Sequence, residues 1–77
     1  MREFLEFVVG HLVDHPEVVA IDQVEADTTV TFTLHVGPGE VGRVIGRSGR
    51  TAQAIRVLLA AVAARQGRRA MLEIAGS

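Results

Sequence analysis

Hydrophobic and polar positions divide the chain into six blocks. From Arg2 to His15, the residues Phe4, Leu5, Val8, Val9 and Leu12 recur at three- and four-residue intervals, with Glu3, Glu6 and Asp14 between them. That is the period of an amphipathic helix. Pro16 closes it, because the residue before a proline is driven out of the helical region. Glu17 to Glu25 reads as a strand with Val19 and Ile21 on one face. From Thr29 to Val36 the alternation is strict: Val30, Phe32, Leu34 and Val36 point one way, and Thr31, Thr33 and His35 the other. Ala26-Asp27-Thr28 leaves room only for a hairpin turn, so these two strands are antiparallel.

Gly37-Pro38-Gly39 interrupts the pattern, and a short helix from Glu40 to Ile45 follows. A second break, Gly46-Arg47-Ser48-Gly49, leads into a long helix from Arg50 to Gln66, with Gly67 as its C-terminal cap. Arg69 to Ala75 is a last strand, with Ala70, Leu72 and Ile74 on one face. The order is helix, strand, strand, helix, helix, strand. The two helices between the second and third strands make a crossover, which places those strands parallel. Each strand has one apolar face, so the helices cover one side of a three-stranded mixed sheet in an α+β, two-layer arrangement over residues 1–77.

Composition narrows the possible chemistry. A chain of 77 residues buries only about 60% of its unfolded surface. There is no cysteine, so neither a disulfide nor a thiolate-held metal is available, and a reducing cytoplasm is the expected location. The longest purely apolar run, Val57 to Ala64, falls well short of a membrane span of about 20 residues. Acidic residues interrupt every apolar run near the N-terminus, against the pattern of a secretory signal. Net charge is −1, but it is unevenly distributed: residues 1–40 sum to −7 and residues 41–77 to +6. Such a split gives either one basic working face or two halves that interleave in space and cancel, and charge alone does not choose between them.

The basic half opens with Val41-Gly-Arg-Val-Ile-Gly-Arg-Ser-Gly-Arg-Thr-Ala-Gln-Ala-Ile-Arg56, which holds three glycines and four arginines. A Walker loop fails here, because position 41 is valine and no lysine follows Gly46. A dinucleotide fingerprint fails because the preceding segment reads as a helix and the glycine spacing is wrong. A helix, Gly-x-x-Gly and a second helix fit. Glycines let the backbone turn and let a sugar-phosphate chain come close. The second helix begins near Gly49, so its unpaired N–H groups and positive dipole end face an anion. Arg47 lies in the loop, Arg43 and Arg50 flank it, and Val44-Ile45 can line a groove beside it.

On Val44, Ile45, Gly46, Gly49 and Ile55, this stretch resembles the signature of a KH domain. The element order resembles the type II, bacterial topology, and the length is similar to that of the small single-KH-domain RNA-binding proteins of bacteria, the KhpA family. The resemblance covers essentially the whole chain. It implies single-stranded RNA held over about four nucleotides, with Gly46, Arg47, Ser48 and Gly49 as a clamp on the backbone. Single-stranded DNA shares that backbone chemistry. Lysine often stands in the family where Arg47 stands here, and the charge is kept. Arg43 and Arg50 join the site by charge and position, and Val44 and Ile45 by apolar contact with bases. With about three phosphate contacts the salt slope is about −2. The resemblance further implies a role in post-transcriptional regulation or RNA chaperoning, self-association, and pairing with a larger Jag-like KH partner.

The long helix presents a second pattern. A core stripe of Ile55, Leu58, Leu59 and Val62 leaves Val57, Ala60, Ala61 and Ala64 on the opposite side, and no polar residue interrupts Val57–Ala64. A helix apolar all round is usually covered all round, which predicts a dimer through Val57, Ala60, Ala61 and Ala64. A non-enzymatic adapter that uses this face and never touches RNA is the alternative function.

Other chemistry is sparse. His11 and His15, four apart on the first helix with Asp14 and Glu17 near, could hold zinc but lack a third ligand, so no metal is expected. His35 falls on the polar face of its strand. Ser48 has no nearby base to activate it, and no carboxylate pair stands out. Neither an enzyme nor a cofactor is expected.

Overall fold

A computed structural model of the chain describes residues 1–76. Helix α1 (Arg2–Leu12) leads through a 3-10 turn (Pro16–Val18) into strand β1 (Ala20–Ala26) and strand β2 (Thr29–Val36). Helix α2 (Val41–Ile45), a 3-10 turn (Arg47–Gly49) and helix α3 (Arg50–Arg65) follow, and strand β3 (Arg69–Gly76) is last. The sheet order is β1-β2-β3, with β1 antiparallel and β3 parallel to the central β2. The α+β order and the mixed sheet are those read from the pattern of the chain.

The core lies between the sheet and the helices. Val30, Phe32, Leu34 and Val36 of β2 are all buried, as strict alternation on a central strand requires. Leu5 and Val9 of α1, Val44 of α2, Ile55 and Leu59 of α3 and Leu72 of β3 close over them. Ala26 pairs with Thr29, so Asp27 and Thr28 alone make the hairpin connection, and Asp27 takes a left-handed φ of 52°.

Strand β1 ends one residue later, α2 starts one residue later and α3 ends one residue earlier than the sequence predicts. Three further boundaries and one stripe also differ from the sequence reading. Helix α1 stops at Leu12, not His15. Val13 turns to an extended conformation and drops its side chain into the core, while the Glu40 carboxylate takes the N–H groups of Asp14 and His15. That partner lies some 25 residues away along the chain, beyond any local pattern. His15 is therefore not on the helix with His11. Strand β1 starts at Ala20, because Pro16 opens a 3-10 turn where the strand was expected. Strand β3 runs one residue further, to Gly76.

On α3 the buried stripe is Ala52, Ile55, Leu59 and Ala63, while Leu58 is 51% exposed and Val62 half-buried. Alanines at both ends of the stripe let the helix lie close on the sheet. They rotate its centre about 100° away from Leu58, counting 100° per residue. The Gly67 cap forms as expected: at φ 69° it lets Arg68 N–H reach the Ala63 carbonyl at 2.9 Å.

Candidate functional site

The segment between α2 and α3 is built from left-handed backbone. Gly46, Ser48 and Gly49 have φ of 76°, 56° and 75°. Gly46 N–H closes on the Gly42 carbonyl at 2.8 Å and Gly49 N–H on the Gly46 carbonyl at 3.1 Å. This folds the four residues into one tight turn against the start of α3. The N–H groups of Arg47 and Ser48, by contrast, bond to no other main-chain group among the described residues. They stay available at the positive end of a 16-residue helix. Ser48 is the one non-glycine residue of the loop held at positive φ, a conformation that costs about 1–3 kcal/mol and collects at functional sites.

Side chains add charge to this donor set. Arg47, Ser48 and Arg50 are exposed, and neither arginine pairs with a carboxylate among the described residues. Arg43 is exposed too, but it pairs with Asp14 at 3.0 Å. Of the two apolar neighbours, Ile45 is 37% exposed and can meet a ligand, whereas Val44 is fully buried. Val44 is therefore a core residue that anchors α2, and not a groove wall as the sequence reading had it. Its side chain occupies the inner face of a helix too short to bury more than one residue.

Arg56, outside the expected site, continues the basic line along α3 and donates to the Leu72 carbonyl at 3.3 Å. Together with Leu59, Ala70, Met71 and Leu72 it lines a cleft of about 100 Å³ between α3 and β3. The sequence held a signal for Arg56, since it lies six residues beyond Arg50 within the same motif. Met71 carried none, because only the parallel register of β3 brings it there. A larger cavity of about 300 Å³, lined by α1 and the start of β1, shares no residue with the loop.

The predicted dimer residues Val57, Ala60, Ala61 and Ala64 are all exposed on α3, and Leu58 joins them. The histidines are engaged locally: His11 Nδ1 lies 2.8 Å from the Phe7 carbonyl, His15 pairs with Glu17, and His35 with Asp22 across the outer sheet face. The hydrogen bond to the Glu17 main chain, with help from His15, holds the Glu17 carboxyl below its ordinary value. No three His, Asp or Glu side chains among the described residues are grouped to hold a metal, and no described helix is long and apolar enough to cross a membrane.

Two helices joined by Gly46-x-x-Gly49, laid over a sheet in which β3 runs parallel to the second strand of an N-terminal hairpin, define a type II KH domain. The model of the KhpA/KhpB KH domain matches residues 2–74, and the chain belongs to that family. It is 45% identical over 74 residues to the RNA-binding protein KhpA of Chlamydia muridarum, covering 96% of this chain and 95% of that one. To the RNA-binding protein KhpA of Listeria monocytogenes it is 46% identical, covering 96% and 97% of the two chains. The RNA-binding protein KhpA of Aquifex aeolicus is 38% identical, at 96% and 94% coverage. No solved structure gives a significant match.

Proposed function

We propose that this chain, as one KH domain, binds single-stranded RNA by clamping its backbone with Gly46–Gly49, and that it works in the bacterial cytoplasm without catalysing a reaction. The observation that carries this reading is the coincidence, at one exposed turn and the start of α3, of two N–H groups with no main-chain partner and two arginines with no carboxylate partner among the described residues. The relatives' name as RNA-binding proteins supports the ligand class. Arg47 supplies charge at the loop, Arg50 follows it on α3, and Ile45 offers an apolar surface to a base. With no Tyr or Trp in the chain, bases rest on aliphatic side chains, and sequence preference is loose. Post-transcriptional regulation or RNA chaperoning is the role that suits such a binder.

Arg47→Asp with Ser48→Asp tests the clamp. Aspartate tolerates the left-handed backbone that Ser48 already adopts, so the variant should keep its fold. Loss of oligo(U) RNA binding by fluorescence anisotropy, with an unchanged circular dichroism melt, is the expected result. RNA affinity retained by the folded double variant would end the reading.

The exposed Val57, Leu58, Ala60, Ala61 and Ala64 support association through α3, with a second copy or with a Jag-like KH partner. Pairing would place two loops on one particle, so that avidity strengthens weak single-site binding. The adapter reading keeps this face but leaves the unpaired arginines of the loop without a task.

A further inference from the structure

The arginines around the loop are not equivalent. Among the described residues Arg47 and Arg50 pair with no carboxylate, whereas Arg43 lies 3.0 Å from the Asp14 carboxylate. That contact is prepared by a buried group. Glu40, 5% exposed at the N-terminal end of α2, accepts the Asp14 N–H at 2.5 Å and the His15 N–H at 3.3 Å through one oxygen. Its other oxygen is buried with no hydrogen-bond partner among the described residues. The main chain of Asp14 is thus tied to the first turn of the helix whose C-terminal end becomes the loop. Helical side chains lean toward their own N-terminus. Arg43 accordingly leans back toward Glu40 and Asp14, away from Gly46.

We propose that Asp14 is an internal competitor for the phosphate that Arg43 would otherwise hold, and so sets how tightly the loop binds. The proposal rests on the clamp reading above. Most exposed ion pairs compete poorly, because two flexible side chains must be ordered to form them. Here one partner is short and its backbone is already fixed, which lowers that cost. Arg43 is half-exposed and remains free to exchange partners. While Arg43 stays with Asp14 it neutralises no RNA phosphate, and no counterion is released on its account. The salt dependence of binding is therefore shallower than the number of arginines implies.

Asp14→Asn removes the charge and keeps both the side-chain shape and the N–H that Glu40 binds. Anisotropy titrations of fluorescein-labelled oligo(U) RNA at two salt concentrations should show Asp14→Asn binding about two- to fivefold tighter at low salt, the fold-change that breaking an exposed ion pair represents. Its log–log salt slope should be steeper by about 0.7, one further phosphate contact on a single strand. In an Arg43→Gln background the same substitution should change nothing. An equal gain in that background overturns the proposal, since it would reflect only the loss of a negative charge near RNA. An unchanged or weaker Asp14→Asn also overturns it, and a weaker one makes Asp14 a residue that aims Arg43 at RNA. The Arg47→Asp/Ser48→Asp protein, run alongside, separates the two failures. If it still binds, the clamp reading falls; if it does not and Asp14→Asn is silent, only the competitor falls.

Discussion

Gly46 and Gly49 share nearly the same φ but have different reasons to be glycine. A methyl group on Gly46 would lie 2.7 Å from the Thr51 Cβ and closer still to its hydroxyl, inside the protein's own packing. A methyl group on Gly49 would meet nothing within 4 Å and would project into open space. Gly46, at φ 76° and ψ 174°, lies where essentially only glycine goes. Gly46→Ala should therefore destabilise the fold by more than the roughly 1–2 kcal/mol that alanine costs in the left-handed helical region that Gly49 occupies, and Thr51 must also move. Gly49→Ala should cost only that backbone term but weaken RNA binding out of proportion, since its methyl stands where the proposed ligand passes. Urea denaturation and RNA titration of the two variants side by side check this. A Gly49→Ala that loses stability but no affinity would place the RNA on another side of the loop. The general need for glycine here is legible in the motif. Which glycine serves packing and which leaves approach open depends on where Thr51 comes to rest.

Among the elements, α3 carries two tasks on opposite sides. Its inner stripe is set by Ala52, Ile55, Leu59 and Ala63, and its outer side shows Val57, Leu58 and Ala61 to solvent. The existence, length and cap of this helix could be read from the chain, because a 3.6-residue period, a leading glycine and Gly67 all agree. The side on which Leu58 falls could not. Two adjacent leucines both fit a helical stripe, and the close seat allowed by the terminal alanines decides between them. The same applies to Val44, whose neighbour Ile45 looks equivalent in sequence yet lies outside the core. Because the outer side is free of core contacts, Ala61→Glu should leave the thermal melt within about 0.5 kcal/mol of the parent. It should also shift the particle to a monomer by light scattering at high concentration, if α3 is the association face. An unaltered mass for a parent dimer would move that interface elsewhere.

Across the whole molecule, one apolar layer serves every element. Phe32 is the largest fully buried side chain and stands in the central strand. Phe32→Ala should cost about 3–5 kcal/mol, most or all of the stability of so small a core, and the urea midpoint is the measurement that checks it. Alternation along β2 and the turn at Asp27 made the hairpin readable, and the helical crossover made the parallel third strand readable. The strap from Glu40 to the end of α1 was not, because Glu40 caps a helix of a single short turn just after a glycine-proline break, too little for a periodicity to show its side as buried. Its partners are main-chain N–H groups that carry no residue signature.

The place of β3 in the sheet has a bearing on how the protein is made. The central strand receives its first neighbour within two residues, through the hairpin, but waits for the second until both helices and the loop between them have been synthesised. Until Arg69–Gly76 leaves the ribosome, β2 presents an open edge, and α3 lacks the Leu72 surface against which it closes. A nascent chain at that stage already contains the glycine-arginine turn without the frame that holds it in shape. A chain arrested before that strand would carry an unpaired β2 edge, open to an edge on another chain.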